Sequence, residues 1–287
     1  MKREKIRKRS ELGHQTLPVR IAEVPLLLSG GSEVIEVLRP EIDGYLSGAL
    51  ANPVSVEMRL DNLECSESGS SSTTKIDPDQ NVCIQQGRVL RLTLYADRKG
   101  ARLQVNPTLS KQLGGPILRQ SLKSLISLLV LERGGLLLHA SAVQYEGYSL
   151  LFAGPSGSGK STIASYFPRE AMLNDDLIAV YPTAHGLVAH STPFNGTLEL
   201  KTVSRRAKVS KAITLTQSQE NRIGTKSTKE SLRSWLSNIA LPEGIPALEE
   251  KAFSIAFKCN EQIQFQNLEF RDDPTETLPF LVETVSS

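Results

Sequence analysis

Cysteine is scarce in this chain: Cys65, Cys83 and Cys259 stand far apart, and no two form a CxxC pair. That spacing argues against a zinc cluster or a disulfide framework and fits a reducing compartment, the cytoplasm. Long apolar runs are also missing. The most apolar helical stretch, Pro116 to Leu131, is short and interrupted by Arg119, Lys123 and serines, so no membrane span is expected. The basic start is followed by no apolar segment, so no signal peptide is expected. Charge of one sign is not in excess either, with a formal total of +2. The first fifteen residues hold six Lys/Arg against two Glu, a local +4, which leaves the remainder at −2. By charge alone that body is no nucleic-acid binder, and residues 1–15 read as a solvated, disordered basic tail in preference to a segment that touches nucleic acid or anionic lipid.

What is present divides into two parts. Residues 16–110 read as a smaller β-rich domain. Val89 to Tyr95 alternates apolar and polar, Asp97 to Gly100 makes a turn, and Ala101 to Val105 alternates again, which predicts a hairpin ending before Pro107. Ser66 to Thr74 has too little apolar content to fold and reads as a loop. Leu28-Ser29-Gly30-Gly31-Ser32 reads as a turn. From residue 111 onward the pattern is α/β. Pro116 is expected in the first turn of a helix that ends at Gly134, with Leu118, Leu122, Leu125, Ile126 and Leu129 on one face, packed between the two domains. Strands follow at Leu136 to Val143 and Tyr148 to Ala153. Ser227 and Glu230 form a capping-box pattern before a helix carrying Leu232, Trp235, Leu236 and Ile239.

Directly after the Tyr148–Ala153 strand stands Gly154-Pro155-Ser156-Gly157-Ser158-Gly159-Lys160-Ser161-Thr162, a G-x-x-x-x-G-K-[ST] phosphate loop with a strand before it and a helix after it. Glycines let backbone N–H groups close on a β-phosphate. Lys160 suits the β/γ oxygens, and the Ser161 hydroxyl is a hard ligand for Mg²⁺. The residues thus predict a bound nucleoside triphosphate with Mg²⁺. The same loop wording occurs in ABC-type ATPases and guanylate kinases, but the order of parts differs. The LSGGS stretch resembles the LSGGQ signature of the ABC-type ATPases, but theirs follows the loop and this one precedes it by over a hundred residues. No acidic strand followed by Glu comes at the usual distance, and the loop does not open the chain as it does in guanylate kinases.

Downstream, Leu173-Asn174-Asp175-Asp176 places two acids near a strand end beside the loop. Spacing alone leaves them open between a catalytic pair and a solvated acidic turn. His139 in a strand reads, by itself, as a core histidine. Leu138-His139-Ala140-Ser141-Ala142-Val143, the phosphate loop and the Asp-Asp pair together resemble the catalytic domain of HPr kinase/phosphorylase. The resemblance is closer to the HPr-kinase-related serine kinases, including those that act on lasso peptides, and it covers roughly residues 110 to 285. It implies a P-loop fold of the kind shared with phosphoenolpyruvate carboxykinase. It also implies Lys160 as the phosphate-binding lysine, Ser161 as metal ligand and Asp176 as general base toward an acceptor serine. Asp175 would assist with metal or positioning, and His139 would lie near the γ-phosphate. Glu199 sits where that family has a magnesium-binding glutamate.

The resemblance departs at Thr162, where HPr kinases carry Glu, and the Gly-rich signature for phosphorolysis and HPr docking is missing. It therefore implies the kinase direction, with a small protein or peptide carrying a serine as partner, and a homo-oligomer. The residues also leave open a nucleotide-binding regulatory module and a small-molecule kinase.

Overall fold

The computed structural model describes residues 13–61, 63, 72–198, 200, 203–242 and 244–286. Contacts divide the chain into two units, residues 1–129 with 242–245 and residues 130–241 with 246–287. The protein is a mixed α/β chain with two sheets, one of seven strands and one of nine.

In the first unit the strands are β1 (His14–Ile21), β2 (Val24–Gly31), β3 (Val54–Leu60), β4 (Ser72–Ile76), β5 (Val82–Gln86), β6 (Leu90–Leu94) and β7 (Gly100–Val105). They lie in the order β1-β2-β3-β7-β6-β5-β4. Alternation decides which face is buried: Val54, Val56 and Met58 point inward from β3, and Leu90, Leu92 and Leu94 from β6. Helix α1 (Ser32–Ile42) buries Val34, Ile35, Leu38 and Ile42 and packs against β1, β2 and β3. The expected hairpin is present as β6 paired antiparallel with β7.

Three local expectations fail here. The LSGGS stretch is no turn, because Leu28 to Gly31 finish β2 and Ser32 opens α1. Ser72, Thr73 and Thr74 belong to β4, paired with β5, because backbone ladder bonds hold a strand whose side chains bury little. His14 and Gln15 start β1 and do not belong to a tail. The expected basic tail otherwise lies outside the described residues, as does most of the serine-rich loop.

Helix α2 (Pro107–Glu132) begins nine residues before Pro116, which sits inside it. The first-turn argument was right in kind but applied to the wrong proline: Pro107 takes the position where a missing N–H costs nothing. The far end is as expected. Gly134 has φ +80, its N–H reaches Leu131 O at 3.0 Å, and Gly135 N–H reaches Val130 O at 3.0 Å. This is a glycine-terminated helix end. The boundary between the units falls inside α2, at Leu129 and Val130. No helix among the described residues is long and apolar enough to cross a membrane.

The second unit contains β8 (Leu136–Tyr145), β9 (Tyr148–Ala153), β10 (Met172–Asn174), β11 (Leu177–Thr183), β12 (Gly186–His190), β13 (Arg206–Lys208), β14 (Lys211–Gln217), β15 (Arg222–Thr225) and β16 (Phe265–Phe270). The order is β13-β12-β11-β8-β9-β14-β16-β15, with β10 paired to β8. β9, β14 and β16 run parallel, and the flanking pairs are antiparallel. The helices are α3 (Lys160–Ser165), α4 (Thr228–Ser237), α5 (Pro246–Gln262) and α6 (Pro274–Ser286). Phe152, Ile163, Phe167, Ile213, Leu268, Phe270 and Leu281 form one buried cluster beneath the loop that joins β9 to α3. Strands covered on both faces read as continuous apolar runs, and β9 does so from Leu150 to Ala153.

Candidate functional site

The loop from Gly154 to Gly159 leaves the end of β9 and turns into α3. Two of its glycines are demanded by geometry. Gly159 has φ +97, and a Cβ there would lie 2.5 Å from Phe270 Cζ, the end of an aromatic ring fixed in the core. Gly154 has φ +149, and a Cβ there would lie 2.8 Å from Ser158 Oγ. Both conformations cost an L side chain strain, so the backbone stays bare at these two points. Lys160 Nζ donates to Gly154 O at 2.8 Å and to Pro155 O at 2.9 Å, folding the lysine back over the loop. Burial pulls the Lys160 pKa below its ordinary value, and the Asp176 carboxylate offsets that in part. Ser158 Oγ is buried without a hydrogen-bond partner among the described residues. A buried hydroxyl lacking a partner is expensive in an interior and useful beside an anion.

The two acids differ in their surroundings. Asp175 is 2% exposed. Its Oδ1 accepts the Gly196 N–H at 2.8 Å and its Oδ2 the Leu198 N–H at 2.9 Å. Both oxygens thus hold the 196–198 loop, which makes Asp175 a positioning group. Asp176 keeps 30% of its side chain exposed, and its Oδ1 stands 3.7 Å from Nδ1 of His139, which is 53% exposed. His139 is therefore no core histidine. The β8–β11 register, which sets His139 opposite Leu177, places the two side by side. The Ala140 N–H also bonds to Asp176 O at 2.9 Å.

Asn174 makes this turn. It is fully buried, and its Oδ1 accepts the N–H groups of Asp176 at 2.8 Å and Leu177 at 2.9 Å. Its Nδ2 donates to Thr192 O at 2.8 Å and Asn195 Oδ1 at 3.1 Å. Thr192 Oγ1 in turn donates to Leu177 O at 2.7 Å. One side-chain amide thus fixes the backbone on either side of Asp176.

A second amide ties the phosphate loop to the histidine strand. Asn238, at the end of α4, accepts the Gly154 N–H on Oδ1 at 3.0 Å and donates from Nδ2 to Ser234 O at 2.7 Å. Its backbone oxygen accepts the His139 N–H at 2.7 Å. The segment continues onto β8, with the Ala240 N–H bonded to Leu137 O at 2.8 Å. Ser141 Oγ, also on β8, donates to Lys160 O at 3.3 Å.

Of the residues singled out from the sequence, the structure brings together Gly154, Pro155, Ser156, Gly157, Ser158, Gly159, Lys160, Ser161 and Thr162 as one loop and helix start. Asp176 lies within electrostatic reach of Lys160 and beside His139. Glu199 lies outside the described residues. Asn174, Asn195, Thr192 and Asn238 were not singled out. For Asn174 a signal existed, because Asn followed by two acids at a strand end is an Asx-turn pattern. Among the described residues no group of three or more His, Cys, Asp or Glu is arranged as a metal cluster. A magnesium ion bound with a triphosphate needs no such cluster, since a hydroxyl such as that of Ser161, phosphate oxygens and water can complete its shell. The glycines at positive φ, the folded-back lysine and the unpartnered Ser158 hydroxyl fit a triphosphate.

Residues 105–232, less than half of the chain, match the family model of SynChlorMet cassette protein ScmC. No curated protein matches the chain. Among solved structures, the HPr(Ser) kinase/phosphatase from Coxiella burnetii is weakly similar. It has a TM-score of 0.30 and 14% identity over 52% of this chain and 87% of that one. Likeness at that level fixes neither a family nor a reaction, and the chemistry has to be argued from the residues of the site.

Proposed function

We propose that this chain is a kinase that moves the γ-phosphoryl group of ATP, in the presence of Mg²⁺, to a hydroxyl, most plainly a serine on a small protein or peptide. The observation that carries the reading is the convergence of Lys160, Asp176 and His139 at the end of β9, each held there by backbone geometry. Backbone N–H groups of the 154–159 loop and the Lys160 ammonium would bind the phosphates. Mg²⁺ bound by Ser161 would supply charge neutralisation on the β/γ oxygens, with Glu199 a further ligand candidate. Asp176 would take the proton from the acceptor hydroxyl as that oxygen bonds to phosphorus and the bond to the bridging oxygen breaks. His139 would hold the Asp176 carboxylate in place, and Asp175 would hold the loop that closes over the pair. The reaction belongs in the cytoplasm on this reading, where Cys83 and Cys259, both free thiols, stay reduced. The homo-oligomer implied by resemblance is a matter for light scattering.

The test offers γ-labelled ATP and Mg²⁺ to a cell extract resolved into protein, peptide and metabolite fractions. Label in a polypeptide, lost on acid-stable phosphoserine mapping of a serine-to-alanine acceptor, supports the reading. Label in metabolites alone makes the chain a small-molecule kinase, and absence of label with intact ATP binding makes it a regulatory module.

A further inference from the structure

The second unit has another polar recess, at the opposite ends of the strands that carry the phosphate loop. A cavity of about 350 Å³ opens where β14 and β16 begin, lined by Lys211, Lys226, Gln264, Phe265 and Gln266 among others. Phe265 opens β16 at this recess, and Phe270 closes it beneath Gly159. At ~3.3 Å per residue the two places lie roughly 16 Å apart along one strand.

Two lysines line the recess and no carboxylate does. Lys226 Nζ donates to the neutral Ser234 Oγ at 2.9 Å. Burial lowers its pKa, and Glu230 offsets this only in part. The Glu230 carboxylate is itself engaged by the Ser227 N–H at 2.9 Å and hydroxyl at 2.6 Å. Lys211 is half-buried, and its ammonium has no ion pair or hydrogen bond among the described residues. Gln266 Oε1 is buried without a donor. Two ammonium groups thus line a recess that holds no carboxylate, and an anion placed there would neutralise both. An acceptor left bare beside them calls for a donor, which a ligand hydroxyl would supply to Oε1 once the Gln266 amide turns into the recess.

We propose that this recess binds a small organic anion, a carboxylate or a phosphate ester, that also carries a hydroxyl. Lys211 and Lys226 hold the anionic group, and Gln266 accepts from the hydroxyl. The volume suits a metabolite-sized ligand. The proposal is independent of the kinase reading, because it uses no residue of the phosphate loop.

The experiment titrates the full chain calorimetrically with succinate, malate and glycerol phosphate. A non-hydrolysable ATP analogue and Mg²⁺ are present throughout to keep the probes from the phosphate loop. Malate or glycerol phosphate binds, the tighter of the two identifying the anionic group, and succinate, which lacks the hydroxyl, binds more weakly. Lys211→Met with Lys226→Met weakens the tighter probe by about tenfold or more. Gln266→Leu removes the preference for malate over succinate. A second measurement needs no variant: the tighter probe slows acetylation of Lys211 and Lys226 in the unaltered protein, read by mass spectrometry against the exposed Lys258. Binding unchanged in the double variant, or neither heat nor protection with any of the three probes, overturns the proposal.

Discussion

Asp176 and Asp175 are neighbours in sequence, yet they differ in what surrounds them, and so substitution should separate them. Asp176→Asn keeps the shape and the Asn174 contacts of the backbone. It should lower phosphoryl transfer by at least about a hundredfold while ATP binding by calorimetry is unchanged. Asp175→Asn replaces one acceptor oxygen by a donor facing a backbone N–H. It should lower the melting temperature as well as transfer, because a buried polar group left unmatched costs about 1–3 kcal/mol. Asn238→Ala removes the acceptor for the buried Gly154 N–H, with a similar ~1–3 kcal/mol loss, and should weaken ATP binding along with stability. Normal stability in that variant would show that the loop stands without its clamp. At this scale the 154–159 turn from strand to helix was legible because its residues are contiguous. Asn238 was not, because it lies 84 positions from Gly154 and only the pairing of residues 238–240 with β8 brings it there. His139 alone read as core, and its exposure follows from the strand register beside Asp176.

Helix α4 shows how far a local pattern can be trusted at the scale of an element. Ser227 Oγ accepts the Glu230 N–H at 3.3 Å while the Glu230 carboxylate returns to the Ser227 N–H, a reciprocal cap visible in four consecutive residues. The Ser227 hydroxyl, then its backbone N–H, hold the Glu230 pKa below the usual carboxylate range. A depressed pKa adds stability that is fully present above the unfolded carboxylate's pKa and is lost as pH falls through the lowered folded value. Glu230→Gln should therefore flatten the acid side of the melting-temperature profile, and Ser227→Ala should cost ~1 kcal/mol near neutrality. An unchanged acid limb in Glu230→Gln would assign that slope to other carboxylates. The hairpin of β6 and β7 was equally legible, since turn residues and alternation agree. β4 was not, because Ser72, Thr73 and Thr74 offer no apolar alternation and the strand exists through its ladder to β5. The start of α2 was misplaced because a proline in a helix interior looks the same in sequence as one in a first turn.

For the whole molecule, the two units each own a sheet, and the only tryptophan belongs to the second. Trp235 is fully buried, its ring 4.7 Å from that of Phe265, and its Nε1 donates to Ile263 O at 3.2 Å. Tryptophan emission should therefore report the unfolding of the second unit, whereas far-ultraviolet circular dichroism reports both. ATP with Mg²⁺ at about a hundred times its dissociation constant should stabilise the emission-detected transition by ~2.7 kcal/mol. Lys160→Ala should abolish that shift. A shift that survives in Lys160→Ala would place the nucleotide elsewhere. The division into two sheets was legible from the change in pattern along the chain. The position of the divide inside α2 was not, because one continuous helix serves both units.

The loop held by Asp175 also bears on how the protein ages. Asn195 followed by Gly196 is the dipeptide most prone to deamidation, in which the glycine nitrogen attacks the asparagine side-chain carbon Cγ and closes a succinimide with loss of ammonia. Here that nitrogen is engaged with Asp175 Oδ1, and the Asn195 amide is held by Leu200 O at one end and by Asn174 at the other. The carboxylate that holds this loop should then also guard its neighbour against chemical decay. On prolonged storage, peptide mapping should find Asn195 intact in the folded protein and converted in the Asp175→Ala variant. The useful lifetime of a preparation would then be set by one buried aspartate.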